Sequence, residues 1–471
     1  MKKTKIVATI GPASTDAKML ERMIKAGMNI ARMNFSHGDF EEHAYKTKLV
    51  RAAAKRVGAN IAIMQDLGGP KIRTGDLKEK SVFLKKGAQV ILTTKIVAGT
   101  AEKMSVNYKG LLKDVKVGHR ILINDGKQEF KVKKIIGTDI HCKVIYGGRI
   151  VSRRGINLPD TIVSQSSFTD KDKKDLEFGI EHNVEFVALS FVQSARDVIA
   201  LKNTLKKRGS KAMVVVKVET QAAINNMGEI LAVTDAIMVA RGDLAVEVGA
   251  GRVPMLQKEM VKKANALGKP VIVATQMLET MTDNPVPTRA EVSDVANAIL
   301  DGADAVMLSG ETALGDYPLE VVKTMASIAK DTESHMDFER RLHVDYAEGV
   351  CMQTNEVVAR NAAKVATDLC AKVMVAFTET GATPRAVAKF RVKQPILVIS
   401  QNSYALQQTA MSFGVYSTAK VLLADGDNVN IMARAAVLKN KIAKKGDKVV
   451  VVSGSIFGKP GETNTISVVT V

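Results

Sequence analysis

Short apolar runs punctuate this chain, and each is followed by a stretch whose apolar residues repeat at helical spacing. The runs lie at Lys5 to Ile10, Met28 to Met33, Ile61 to Gln65, Phe186 to Ser190, Val214 to Val218, Ala236 to Ala240, Pro270 to Ala274 and Ala303 to Leu308. A strand buried on both faces reads as an unbroken apolar run, and strands that alternate with helices assemble into a parallel sheet. About eight repeats of that unit predict an α/β fold built on a closed (β/α)8 barrel.

Between the third and fourth runs the pattern changes. From about Pro70 to Ser167, short alternating segments such as Val82 to Leu84, Gln89 to Thr93 and Ile121 to Ile123 are separated by glycine-containing turns, the texture of a small β-domain inserted into the barrel. Such an insertion at the catalytic end of a barrel can serve as a lid. Beyond the barrel, a charged stretch from Asp331 to Glu348 leads to a helix over Glu356 to Leu369. Strands follow over Val373 to Phe377, Ile396 to Ile399, Lys448 to Val452 and Ile466 to Val471, which predicts a second α/β unit. The expected division is a barrel at 1–69 and 169–344, a small β-barrel lid at 70–168 and a C-terminal α/β domain at 345–471.

The polar residues obey a rule of position. Asn34, Ser36, His37, Asp66, Ser190, Glu219, Asp243, Thr275, Ser309 and Glu311 end an apolar run or follow it at once. In barrels of this kind catalytic groups gather at the C-terminal strand ends, so the set predicts one shared face. A helix N-cap competes as the explanation for any single member, and capping is expected to account for Ser309. Lys217 and Glu219, two residues apart, leave a strand on the same face, and Asp243 closes the next run. Two hard oxygen ligands suit a magnesium ion, and an adjacent ammonium suits a phosphoryl group. A buried ion pair would gather the same three charges.

Composition narrows the classes. At 471 residues the chain exceeds what one core supports, and 46% hydrophobic with 25% charged residues is ordinary for a globular protein. No run reaches bilayer length, and Gly11-Pro12 interrupts the apolar stretch after the basic start, so a cytoplasmic protein without membrane partners is expected. Cys142, Cys351 and Cys370 lack metal or disulfide spacing and are expected as unpaired thiols. The net charge of +19 is spread along a chain without tryptophan, which favours anionic metabolites over specific nucleic-acid binding.

Six segments, Thr4 to Ser14, Ala31 to Gly38, Asp66 to Gly75, Val239 to Leu244, Lys269 to Glu279 and Pro287 to Val292, together resemble the pyruvate kinase family, over essentially the whole chain. The resemblance implies transfer of the phosphoryl group of phosphoenolpyruvate to ADP, yielding pyruvate and ATP. It implies that Glu219 and Asp243 hold magnesium, with manganese as the alternative, and that Lys217 stabilises the phosphoryl group in flight. Arg32 and Arg73 match phosphate-binding arginines. The backbone from Ala240 through Arg241 and Gly242 matches the seat of the substrate carboxylate, and Thr275 matches a hydroxyl in the proton relay. Asn34, His37, Arg73 and Arg154 fall on the nucleotide side; Arg154 stands where the family often has lysine, which keeps charge but not geometry. A homotetramer is also implied. Thr378, Thr380, Gly381 and Thr383, or the loop Gly454 to Asn464, could hold a phosphorylated effector, although loops of this composition are more often plain turns.

The chain departs from the pattern where many members bind potassium through Asn34, Ser36, Asp66, a threonine and a glutamate. Here the threonine is Leu67 and the glutamate is Lys71. An ammonium can supply the charge of the missing cation, so activity without potassium is expected. Gly68, Asn124 and Ala245 are further departures that bear on rate and nucleotide affinity. A magnesium-dependent barrel enzyme acting on an enolate would share the carboxylate pair but not Arg73, His37, Arg154 and a lid. A catalytically weak sensor would have lost chemical residues, and Lys217, Glu219, Asp243 and Thr275 are all present.

Overall fold

Strand-length apolar runs become the staves of a barrel because both of their faces find cover. A computed structural model describes residues 1–339, 352–418, 421, 428–454 and 463–471. Eight parallel strands close on themselves in sequence order: Lys5–Thr9, Ile30–Asn34, Ala62–Asp66, Phe186–Leu189, Met213–Val218, Ala236–Ala240, Val271–Ala274 and Ala305–Leu308. Val7, Ile30, Ala62, Met64, Ala188, Val215, Met238 and Ile272 fill the inside, while Ile6, Ala31, Ile63, Val187, Val214, Ile237 and Val273 pack outward under the helices. Period-two alternation thus persists although both faces are apolar.

The insertion follows the third strand. It forms a curled six-stranded sheet ordered Ile156–Asn157, Arg120–Ile123, Gln128–Ile136, Asp139–Tyr146, Gln89–Thr93 and Lys103–Ser105, with Val82–Leu84 and Gly148–Ile150 as a separate pair. Its own core includes Leu92, Phe130, Val132, Ile140 and Cys142, whose thiol is pushed up by burial and is inert at neutral pH.

In the C-terminal unit the sheet order is Val415–Ser417, Ile396–Ile399, Val373–Phe377, Lys448–Gly454 and Thr463–Thr470, with only the last strand antiparallel. The strand Val415–Ser417 escaped the sequence reading because three residues carry no detectable period. Ala410 and Met411 from this unit join the inner barrel core beside Met213, at the first residue of its strand. Arg391 grips Asp304, just before the eighth strand, through two contacts of 2.7 Å. The C-terminal unit therefore stoppers the N-terminal end of the barrel and leaves the opposite end to the lid. The boundary expected at 344/345, Cys351 and residues 455–462 of the glycine-rich loop lie outside the described residues. No helix among the described residues is long and apolar enough to cross a membrane.

Candidate active site

The alternation that fills the barrel also furnishes its upper floor. Continuing the inward parity of Val7, Ile30, Met64, Ala188 and Val215 to the strand ends brings Thr9, Arg32, Asp66, Ser190, Lys217 and Glu219 to the interior. Asp66 lies at the centre: its Oδ2 accepts from Arg32 Nε at 2.7 Å, and Lys217 Nζ stands 3.4 Å from Oδ1. Arg32 also donates to Thr9 Oγ1 at 2.9 Å. Lys217 Nζ donates to Ser190 Oγ at 2.7 Å and pairs with Glu219 Oε1 at 2.9 Å. The other Glu219 oxygen accepts from the Phe191 amide at 2.7 Å.

Burial and charge oppose one another at these groups. Burial would raise the Asp66 carboxyl, but Lys217 and Arg32 outweigh it and hold the group below the usual carboxylate range. Burial would likewise lower Lys217, yet Asp66 and Glu219 push it above the ordinary lysine value, so it stays an ammonium. Asp243 differs. It makes no hydrogen bond or ion pair among the described residues, and burial followed by repulsion from Glu219 pushes its carboxyl up to about 6. Two facing carboxylates, one of them without a partner, fit a divalent cation, which would relieve that repulsion. No group of three or more His, Cys, Asp or Glu converges among the described residues, so such a cation would complete its shell with water and substrate oxygens, as magnesium does.

Thr275 follows the seventh strand with φ of 69°, a left-handed conformation that a β-branched residue adopts at a cost of roughly 1–3 kcal/mol. Neighbours hold it there. Its Oγ1 accepts from the Gly242 amide at 2.9 Å, and its carbonyl accepts from Arg241 Nη2 at 2.8 Å. The Arg241 guanidinium also pairs with Asp294 at 2.7 Å, so its side chain braces the Thr275 loop and only its main chain faces the helix start. Ala240 caps that helix, Arg241–Val248, without a side-chain bond.

Asn34 and Asp66 are register partners on the second and third strands, and Ser36 donates its amide to Asn34 Oδ1 at 3.2 Å. Leu67, fully buried, brings no side-chain oxygen to this corner, and its carbonyl is taken by Ser190 Oγ at 2.7 Å. Lys71 sits exposed at the rim; loss of water, then Lys217 and Arg73, lower its ammonium, while Asp66 and Asp243 draw it the other way. His37 is lowered by partial loss of water and then by Lys71, Arg73 and Arg32, the cations beside which it stands.

A cleft of about 710 Å³ opens between lid and barrel, with Lys71, Arg73, Arg154, Asp125, Asp243 and Glu247 on its walls. Lys217 and Glu219 do not line it, because their side chains are only 12% and 1% exposed and lie beneath its floor. Arg73 and Arg154 come together through the bridge of Arg73 with Gly155, and Asn107 anchors the Arg73 amide at 2.8 Å.

The structure thus gathers Arg32, Asn34, Ser36, His37, Asp66, Leu67, Lys71, Arg73, Arg154, Lys217, Glu219, Ala240 to Asp243 and Thr275 at one end of the barrel. Thr378, Thr380, Gly381 and Thr383 lie apart from them, in the C-terminal unit. There Thr378 Oγ1 accepts from the Gly381 amide at 2.9 Å, and Thr383 Oγ1 is bonded to Thr463 Oγ1 at 2.8 Å. Ser309 takes the expected N-cap position, before the helix Gly310–Ala313, but its side chain makes no cap bond, and Glu311 instead accepts from its amide at 2.6 Å. Thr9 was missed as a site residue, although inward parity would have found it. The Phe191 amide, presented by a left-handed residue at φ 55°, has no sequence signal.

A family model described as the barrel domain of pyruvate kinase matches residues 1–322, and one for its alpha/beta domain matches residues 356–469. A pyruvate kinase of Staphylococcus saprophyticus is 43% identical over 467 residues, covering 98% of this chain and 80% of the relative. Those of Bacillus licheniformis and Staphylococcus aureus are each 42% identical, over 471 and 470 residues, covering 99% of this chain and 80% of each relative.

Proposed function

This chain belongs to the pyruvate kinase family, and from that premise we propose how its residues divide the work of moving a phosphoryl group from phosphoenolpyruvate to ADP. The observation that carries the division is the Lys217 ammonium, held between Asp66 and Glu219 under a cleft whose other wall bears Arg73 and Arg154. Lys217 and Arg32 meet the phosphoryl oxygens. Phosphoryl transfer asks mainly for positioning and fixed positive charge, and these two cations are oriented before substrate arrives. The amides at the start of the Arg241–Val248 helix receive the substrate carboxylate. Thr275 Oγ1 carries a proton to the enolate carbon by way of water, its hydroxyl fixed by Gly242. Arg73, Arg154 and His37 take the nucleotide phosphates, with Asn34 supporting their loop. Magnesium bound by Glu219 and Asp243 would neutralise charge on the substrate oxygens.

Lys71 supplies the monovalent charge that a potassium ion supplies elsewhere in the family. Its charge is felt by Asp66 and Asp243, and Leu67 withholds a ligand from the corner where the ion would sit. Lys71→Glu is expected to cut potassium-free activity by about tenfold or more, with partial recovery in potassium chloride over an equal strength of tetramethylammonium chloride. Undiminished potassium-free activity in the variant would remove Lys71 from this role. The reading extends to a cytoplasmic homotetramer whose C-terminal unit binds a phosphorylated effector near Thr378 to Thr383. Sedimentation, and a screen of sugar phosphates and nucleoside monophosphates for altered substrate affinity, test those two points.

Coupled pyruvate formation from phosphoenolpyruvate, ADP and magnesium, with and without potassium, is the direct test. Equal rates support both the reaction and the role of Lys71; no pyruvate under either condition rejects the reading.

A further inference from the structure

Glu247 has no part in the chemistry above, yet it sits where three elements meet. It lies one turn after Asp243 on the Arg241–Val248 helix, so the two side chains project from the same face. Its Oε1 accepts from Asn157 Nδ2 at 3.4 Å. Asn157 ends the short lid strand Ile156–Asn157, which pairs with the lid sheet at Leu122, just before the chain returns to the barrel. The backbone amides of Leu158, on that return, and of Gln221, two residues beyond Glu219, also favour the charged carboxylate.

A second contact lands on the same helix. The lid turn Asn124–Asp125–Gly126 is left-handed throughout, and a Cβ placed on Gly126 would come within 3.5 Å of Val246 Cγ1. Asp125 at that turn is close enough to add to the repulsion at Asp243. The lid therefore meets the barrel at Val246 and Glu247, and the first turn of that helix bears a carboxylate of the floor. Burial is the chief reason that the Glu247 carboxyl is pushed up to about 7.

We propose that the Arg241–Val248 helix is the seat on which the lid closes, and that Glu247 is its positioning residue. By holding Asn157, Glu247 fixes where the lid stops, and so where Arg73 and Arg154 stand over Lys217 and Asp243. Its effect falls on the closed, reacting state more than on binding of phosphoenolpyruvate to the floor below. This inference rests on the reaction and residue roles proposed above.

The test compares the parent with Glu247→Ala, Glu247→Gln, Asn157→Ala and the Glu247→Ala/Asn157→Ala double variant, in the pyruvate assay and by hydrogen exchange. Misplacing reacting groups by about 1 Å can cost on the order of a hundredfold, so a partial loss of register predicts a fall in kcat of about tenfold for Glu247→Ala, with KM for phosphoenolpyruvate changed less than about threefold. Glu247→Gln keeps an acceptor for Asn157 and should recover part of that loss. The double variant should be no slower than Glu247→Ala, and amides in 156–163 should exchange faster in Glu247→Ala. A kcat within twofold of the parent, or losses that multiply in the double variant, overturn the proposal. If Glu247→Ala lacks a cooperative melt, Glu247→Gln/Asn157→Ala against its two singles carries the same comparison. An inactive parent rejects the reaction itself, whereas an active parent with unaffected variants rejects only the seat.

Discussion

Replacing Lys217 with methionine is expected to lower kcat for pyruvate formation by about a thousandfold, equivalent to about 4 kcal/mol of transition-state stabilisation. The methionine side chain retains most of the lysine stem, so the loss isolates the charge. That charge is well supported: Ser190 Oγ orients the ammonium at 2.7 Å, and Asp66 and Glu219 keep it protonated. KM for phosphoenolpyruvate should rise less than kcat falls, because Arg32 remains, bonded to Asp66 at 2.7 Å, to meet the phosphate in the ground state. Removing one partner from a buried cluster also costs stability, so the melting midpoint is measured alongside the kinetics. A folded Lys217→Met enzyme within tenfold of the parent kcat would show that the floor cluster is a structural ion pair.

Glu219→Gln should produce the second large effect, and one that can be read without turnover. Glutamine preserves the length and one acceptor for the Phe191 amide, but removes the negative charge that faces Asp243. Manganese titrated into the protein and followed by electron paramagnetic resonance should bind at least about a hundredfold more weakly, since loss of supporting residues alone costs 10–100-fold at metal sites. kcat at fixed magnesium should fall with it. The Asp243 carboxyl should drop back from its raised value, because Glu219 is the main charge that raises it. Unchanged manganese affinity would separate the Glu219 and Asp243 pair from the metal and leave Glu219 as a partner of Lys217 alone.

These expectations depend on residues that were legible to different degrees. Lys217, Glu219, Asp66 and Asp243 stood out because charged groups at the ends of apolar runs have few reasons to be there, and the runs themselves marked strands close to where the structure has them. Leu67 and Lys71 were visible only as departures from a family pattern. Glu247 was invisible: it sits inside an ordinary helical stretch, and its meaning comes from Asn157, ninety residues away in sequence. Arg241 could be read as a substrate residue through its main chain, but the place of its side chain could not. Its guanidinium braces the strained turn at Thr275 and Gln276, whose φ values of 69° and 51° no local propensity predicts.

The barrel, the inserted sheet, the C-terminal α/β unit and the inward parity of the catalytic floor follow from the order of residues, because burial on two faces and the period of a strand are properties of neighbours along the chain. Folding decided the rest: Lys217 is held by Asp66 and Ser190, Asp243 has no partner among the described residues, and the lid rests on the helix carrying it. Those outcomes depend on distances between strand ends and on the water excluded from them, and both arise only when the barrel closes and the lid comes down upon it.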